Sequence, residues 1–538
     1  MVLTLVGISF PFAALAILHP ADATYTGVLF SPIDVYRYMG FMIHSWNGGW
    51  LIRDNFTYRE MSQPLIYPLY ILLGKVTPSG LVPWAPGLVL HLARLGFSAL
   101  FIQQAWRLYG EVLPGRATRR VALVLMIASA GLGVFWLLAG GLGLTGVPYD
   151  LAAPQSSALF SLLQAPHNAA VLFLVVVFLR AAQRAVTGRA SLGWVLAGGA
   201  AAFGIALVHP DKVLVLGIAC GLLLAWRASL RQAPRRQLAR EAVLLAAMLL
   251  PALPYTLYIT IAALNDPLLA LILRPDAQAR PGSPLSVAIG YGIPGLLALV
   301  AAVGLVRRPR QAPAGMVLLL AFAASGMALL PINRGWQPAI GGQVALAGLA
   351  AAALVHQVLP RLWRSRVFAR AVLARPAGYS RRRLRLLSLN LVLILSAPSV
   401  LALVFATPRV ASAAPGQYYT TADDARVLGW MTTHVSHDDL VVATPESAEF
   451  VVAYSGARVV YGDIFSTPDY EAEGQALARY FQVPSDRAGY LRERHVSWLY
   501  FGPREAAVAG LDPSRDSAYQ AAYSSGGTVL YRVSPPPL

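Results

Sequence analysis

Long apolar stretches dominate this chain and constrain its fold more than any motif does. A membrane-spanning helix needs about 17–25 mostly apolar residues. Stretches of roughly that length fall at 2–19, 84–107, 121–143, 165–181, 191–208, 212–226, 241–263, 285–306, 314–331, 338–359 and 386–406. The chain is 57% hydrophobic and only 13% charged, with a mean hydropathy of +0.56. A soluble globular protein carries about 25% charged residues. The expectation is a polytopic α-helical membrane protein of about eleven transmembrane helices.

The formal net charge of +18 would suggest nucleic acid in a soluble chain, but here the arginines sit in short clusters between apolar stretches. One set of loops holds Arg107, Arg116, Arg119 and Arg120, then Arg180, Arg184 and Arg189, then Arg227, Arg231, Arg235, Arg236 and Arg240, then Arg307, Arg308 and Arg310, and a dense run from Arg361 to Arg385. The alternate loops carry chiefly Arg37, Arg53, Arg59, Lys212, Arg274, Arg280 and Arg334. This roughly threefold bias follows the positive-inside rule and places the N-terminus inside and the C-terminus outside. It argues for an inner (plasma) membrane location and no nucleic-acid partner. Lys75 and Lys212 are the only lysines, as in a GC-rich, bacterial-type coding bias. The N-terminus has no basic n-region or small-residue cleavage site, so Met1 to Leu18 reads as a retained helix.

The chain divides into a transmembrane helical domain at 1–406, a linker at 407–414 and an extracytoplasmic α/β domain at 415–538. The first outer loop, 20–83, holds helical patterns and many aromatics. Its segment 65–73 is apolar but too short to span, which suits an interfacial or re-entrant position. Beyond 415 the composition changes, with 15 of the 25 acidic residues in this part. Apolar runs Leu440–Ala443, Arg458–Tyr461, Trp498–Phe501 and Thr528–Val533 read as strands, and 421–434, 446–454, 468–482 and 485–494 as helices. The single cysteine, Cys220, lies in an apolar run, so the outer domain has neither a disulfide nor a thiolate zinc site. Gly140 to Gly146 follows a membrane span, with no strand before it and no terminal lysine, which favours helix packing over phosphate binding.

Ionisable residues at membrane depth or at the outer mouth of a helix bundle are costly and mark where to look for function. In Ser31-Pro32-Ile33-Asp34-Val35-Tyr36-Arg37-Tyr38, a helix running to about Trp46 places Val35, Met39, Met42 and Trp46 on one side and Asp34, Arg37, Phe41 and His44 on the other. That pattern suits a helix lying on the membrane surface. Ser31, Pro32 and Asp34 also fit a capping box, a structural role that does not exclude a chemical one. His209-Pro210-Asp211-Lys212 joins two spans almost without a loop: Lys212 with His209 fits a phosphate clamp supported by Asp211, and a solvated turn is the plainer alternative. His167 in Pro166-His167-Asn168 stands at an outer helix end, where a cap or interfacial role also fits. Arg334 in Asn333-Arg334-Gly335-Trp336 suits an anionic head group. Trp46, Trp50, Tyr58, Tyr67, Tyr70 and Trp84 fit either sugar stacking or an interfacial aromatic belt. No metal-ligand spacing and no nucleophile elbow appears.

The layout resembles the GT-C superfamily of membrane glycosyltransferases. The resemblance rests on the inward N-terminus, the long first outer loop with an early acid (Asp34 in Ser-Pro-Ile-Asp-Val-Tyr), the many further spans and the outer C-terminal domain. It implies a polyprenyl-phosphate-linked sugar donor, a glycan, lipid or protein acceptor, and inverting transfer, with Asp34 as the catalytic or metal-associated carboxylate. Lys212, His209, Arg334, Arg37 and His167 are then the candidates for the lipid phosphate, with Asp211 as a supporting acid. This sequence lacks the usual second acid beside Asp34, which leaves the use of a divalent metal such as Mg or Mn open. A multi-pass transporter or lipid flippase is the alternative, although paired, interrupted helices of the kind transporters show are not evident.

Overall fold

The structure is a computed structural model that describes residues 1–18, 22–78, 85–141, 143, 146–153, 156–273, 283–329, 340–366, 368–370, 380–413, 415–464 and 466–534. The chain forms two compact units: one of Met1–Phe10, Arg94–Leu257 and Pro275–Thr407, the other of Pro11–Ala93, Tyr258–Arg274 and Pro408–Leu538.

The first unit is helical. Among the described residues, six helices are long and apolar enough to cross a membrane: Ala85–Val112, Pro166–Val186, Asp211–Ser229, Arg235–Asn265, Pro284–Arg307 and Gly342–Trp363. A seventh span forms if Arg382–Ser396 and Pro398–Ala413, bent by 49° at their junction, count as one. Val2–Ile17, Leu192–Val208 and Ala314–Leu329 are shorter apolar helices. The expected span at 121–143 is interrupted, with helices Arg116–Ala128 and Gly133–Leu138 on either side of an extended break. Neighbouring elements take up the amides freed there: Ala130 N–H donates to Ser396 O (2.9 Å), Leu132 N–H to Ile289 O (2.9 Å) and Gly133 N–H to Asp150 Oδ2 (3.0 Å). Irregular backbone at membrane depth survives only where protein satisfies it in this way. The Pro284–Arg307 helix kinks at the same place, at Gly292 (φ 45°), where a Cβ would meet Gly131 backbone at 3.1 Å.

The second unit joins the loop after the first helix to the C-terminal residues. Strand β1 (Ala23–Tyr25) pairs antiparallel with β2 (Tyr419–Thr421). A five-stranded sheet follows, of β3 (Leu440–Val442), β4 (Arg458–Val459), β5 (Trp498–Phe501), β6 (Tyr519–Ser525) and β7 (Thr528–Val533), in the order β4-β3-β5-β7-β6. β3 runs parallel to β4 and β5, while β7 is antiparallel to β5 and β6. Alternation along β3 serves both faces of the sheet. Val441 enters a core with Tyr36, Phe41, Phe56, Phe450 and Tyr454, and Val442 a second one with Leu477, Phe481 and Leu499.

The Pro32–Trp46 helix belongs to the first of these cores, which corrects the membrane-surface reading of it. Tyr36, Arg37, Met39, Gly40, Phe41, Met42, Ile43 and Ser45 are all buried, residues from both proposed faces. The 65–73 segment forms part of a helix, Pro68–Lys75, packed on it, with Ser45 Oγ donating to Ile71 O (2.7 Å). On another side the Pro445–Ser455 helix approaches so closely that a Cβ on Gly40 would lie 2.7 Å from Val452. An amphipathic pattern names the faces of a helix but not what covers the polar one.

Candidate active site

Pro32 pre-sets the first turn of the Pro32–Trp46 helix, and Asp34 stands in that turn, where a carboxylate is favoured by the helix dipole. Ser31 is the N-cap residue, but its backbone is left-handed (φ 47°) and its side chain makes no capping hydrogen bond. The expected capping box is therefore not formed. Asp34 is half-buried. Beside it Tyr38 stacks on Tyr70 (4.0 Å between centroids, 7° between planes), and Tyr67 lies 5.6 Å from both Tyr38 and Phe41. Burial, reinforced by the Asp34 charge, pushes the Tyr38 hydroxyl well above its ordinary range. Tyr67 and Tyr70, two of the candidate sugar-stacking rings, thus pack on other aromatics of their own unit. Trp50 is exposed with Lys75 Nζ 4.9 Å from its ring centroid, and Trp84 lies outside the described residues.

Arg37, one helical turn after Asp34, is 3% exposed and forms an ion pair with Asp463. Its Nη2 also donates to Ser466 Oγ (2.9 Å), and Ser466 Oγ donates in turn to Asp54 Oδ2 (2.8 Å). Asp54 Oδ1 accepts the Phe56 amide (2.8 Å). Burial alone would lower the Arg37 pKa, but the nearby charges of Asp54 and Asp34 carry it above its ordinary value. The Arg37 guanidinium thus faces carboxylates. On the Pro445–Ser455 helix, Glu449 lies near Tyr36, and burial together with Glu446 pushes its carboxyl up to about 7, against the opposing pull of Arg504.

In the helical unit the turn from Leu192–Val208 to Asp211–Ser229 gathers four other candidates. Lys212 Nζ, 1% exposed, donates to Asp211 Oδ2 (2.8 Å), and His209 Nδ1 lies 3.8 Å from Asp211 Oδ1. The His167 and His209 rings are 5.3 Å apart. Arg334 falls outside the described residues. Sequence reasoning missed Asp54 and the fully buried Asp150, whose Oδ2 holds the Gly133 amide. Asp54 sits in an aromatic-rich loop without periodicity, and nothing local distinguishes it from an exposed aspartate. Among the described residues no group of three or more His, Cys, Asp or Glu side chains is placed to hold a metal ion. Of the carboxylates around Arg37, Asp463 pairs with Arg37, and Asp54 accepts from Ser466 Oγ and the Phe56 amide.

No family model and no curated protein sequence matches this chain. Solved structures do. The archaeal oligosaccharyltransferase AglB from Archaeoglobus fulgidus, in complex with an inhibitory peptide and a dolichol-phosphate, aligns over 99% of this chain and 74% of its own, at 13% identity and a TM-score of 0.50. The same enzyme has also been solved with Zn and sulfate. ArnT from Cupriavidus metallidurans aligns over 99% of this chain and 97% of its own, at 15% identity and a TM-score of 0.52. The arabinofuranosyltransferase AftD from Mycobacteria matches 98% of this chain and 41% of its own, at 13% identity and a TM-score of 0.51. Over nearly its whole length, the chain has the fold of the GT-C membrane glycosyltransferases.

Proposed function

We propose that the chain is an inverting glycosyltransferase that moves a sugar from a polyprenyl-phosphate donor to a glycan, lipid or protein acceptor on the outer face of the plasma membrane. The observation that carries this reading is the whole-chain GT-C fold with a half-buried carboxylate, Asp34, in the first outer loop. The neighbours are transferases, which weighs against a transporter or flippase. In the proposed reaction Asp34 accepts the proton of the acceptor hydroxyl as that oxygen attacks the anomeric carbon. The bond from that carbon to the phosphate oxygen breaks, and the electron pair leaves with the lipid phosphate. Lys212, with His209 and His167, is assigned to that phosphate, Asp211 holding the ammonium in place, and Arg334 is a further candidate. Arg37 is assigned to the protein rather than to the donor. No step is routed through a metal.

Asp34→Asn tests this. With Ser31 making no capping bond, the substitution leaves the helix N-terminus largely as it was, and thermal stability should change by no more than about 1 kcal/mol. Transfer from lipid-linked donors in reconstituted membranes should fall by a factor of at least ~10². An active Asp34→Asn protein removes the carboxylate from the mechanism.

A further inference from the structure

Arg37, Asp54, Asp463 and Ser466 are 3%, 0%, 0% and 1% exposed. Buried ions are costly and often contribute little net stability, so a buried network of this kind has to be explained by the geometry it enforces. Its members come from distant parts of the chain. Arg37 lies on the helix that carries Asp34, three residues on and hence on the same face. Asp54 comes from later in the first outer loop, and Asp463 and Ser466 from the loop after β4. That loop is braced on both sides. The amides of Ser466 and Thr467 donate to Asp463 O (3.1 and 2.8 Å), and Thr467 Oγ1 donates to Phe56 O (3.0 Å). A Cβ on Gly462 would come within 2.9 Å of the Phe56 ring. Ser466 Oγ stands between the two carboxylates, 2.8 Å from Asp54 Oδ2 and 3.2 Å from Asp463 Oδ2, and Arg37 is the cation that faces both.

We propose that Asp463, Ser466 and Asp54 are positioning residues for the reaction: by holding Arg37 from one side they fix the rotation of the Pro32–Trp46 helix and with it the direction of the Asp34 carboxylate. The C-terminal domain is then a working part of the catalytic apparatus and more than a cover over it. This inference rests on the glycosyltransferase reading. Misplacing a reacting group by about 1 Å can cost a factor of ~10² in rate, so a modest loss of helix alignment has a large kinetic effect.

The test uses full-length protein in lipid nanodiscs with polyprenyl-phosphate sugars as donors, and the variants Asp463→Asn, Arg37→Gln and the two combined. Each single variant unbalances the buried charges and is expected to melt lower than wild type. The double variant removes the Arg37–Asp463 ion pair, keeps neutral hydrogen-bonding groups at both positions and recovers part of the melting temperature, Asp54 keeping its bonds from Ser466 and the Phe56 amide. In that folded double variant kcat should stay at least ~30-fold down while KM for the donor changes by less than about threefold. Activity that returns along with stability, or a loss confined to KM, overturns the proposal. If wild type turns over none of the lipid-linked sugars, the transferase reading fails, and hydrogen exchange decides the positioning separately. Faster exchange of the Pro32–Trp46 amides in the stable double variant supports it, and unchanged exchange sinks it.

Discussion

Arg37 on the Pro32–Trp46 helix and Glu449 on the Pro445–Ser455 helix are both buried, and the structure treats their charges differently. Arg37 meets carboxylates and stays charged, whereas Glu449, buried beside Tyr36 and Glu446, holds its proton up to about pH 7 against an ordinary value of 4.5. Below pH 4.5 both the folded and the unfolded chain carry that proton. Between 4.5 and 7 only the folded chain keeps it, so unfolding releases a proton and stability falls as pH rises. The expected loss is at most on the order of 3 kcal/mol by pH 8. Glu449→Gln should therefore melt higher than wild type at pH 8 and equal to it near pH 4.5, followed by scanning calorimetry across that range. A difference that does not vary with pH would contradict the assignment. Neither group's role could be read from sequence. Asp34 and Arg37 were singled out by place and helical spacing, but the partner that decides the fate of Arg37 lies 426 positions away, and no local pattern reports it.

Elements with a single strong signal were the ones the sequence revealed. Runs of β-branched and aromatic residues marked β3, β4, β5 and β7, and the helices beginning at Ala422, Pro445, Tyr470 and Pro484 lie close to their expected positions. β6 went unseen because Tyr-Gln-Ala-Ala-Tyr-Ser-Ser has no alternation to read. It is an edge strand, mostly exposed, with a register shift between Ala521 and Tyr523. The break in the 121–143 span is equally silent, since Ser129 to Leu132 remain apolar or small while the amides of Ala130 and Leu132 turn to other helices. The Ala422–His434 helix shows what a working cap does here. Thr421 Oγ1 accepts the Asp424 amide (3.0 Å), and Asp424 Oδ1 accepts from Tyr500 Oη (2.6 Å) and Thr528 Oγ1 (2.8 Å). Thr421→Ala should cost about 1 kcal/mol. Asp424→Ala should cost about 2–3 kcal/mol, because it also strands two buried hydroxyls. Equal losses in thermal melts of the two variants would show that the contacts to the sheet contribute nothing.

For the whole molecule, the membrane class and the C-terminal α/β layer were both evident from composition, because lipid and water sort residues before any detail of packing matters. The grouping of the loop after the first helix with the C-terminal residues was not evident, since both stretches are polar and aromatic-rich and neither announces its partner. Orientation is open to a direct check. The arginine-rich loops predict that a reporter fused after Leu538 is active only on the outer side, and one placed within 361–370 only on the inner side. An inward C-terminus would reverse the span count and the sidedness of Asp34 together. The pairing of β1 with β2, and of Arg37 with residues 429 positions later, also sets an order of events during synthesis. The first loop leaves the ribosome early, carrying a charged arginine and several aromatic side chains whose partners are made last. Until those arrive it must wait exposed, through the insertion of every later span, in the manner of a very high contact-order fold. A chain that stalls before its final hundred residues would thus carry an intact Asp34 on a helix that lacks its C-terminal partners, and quality-control proteases should find it there.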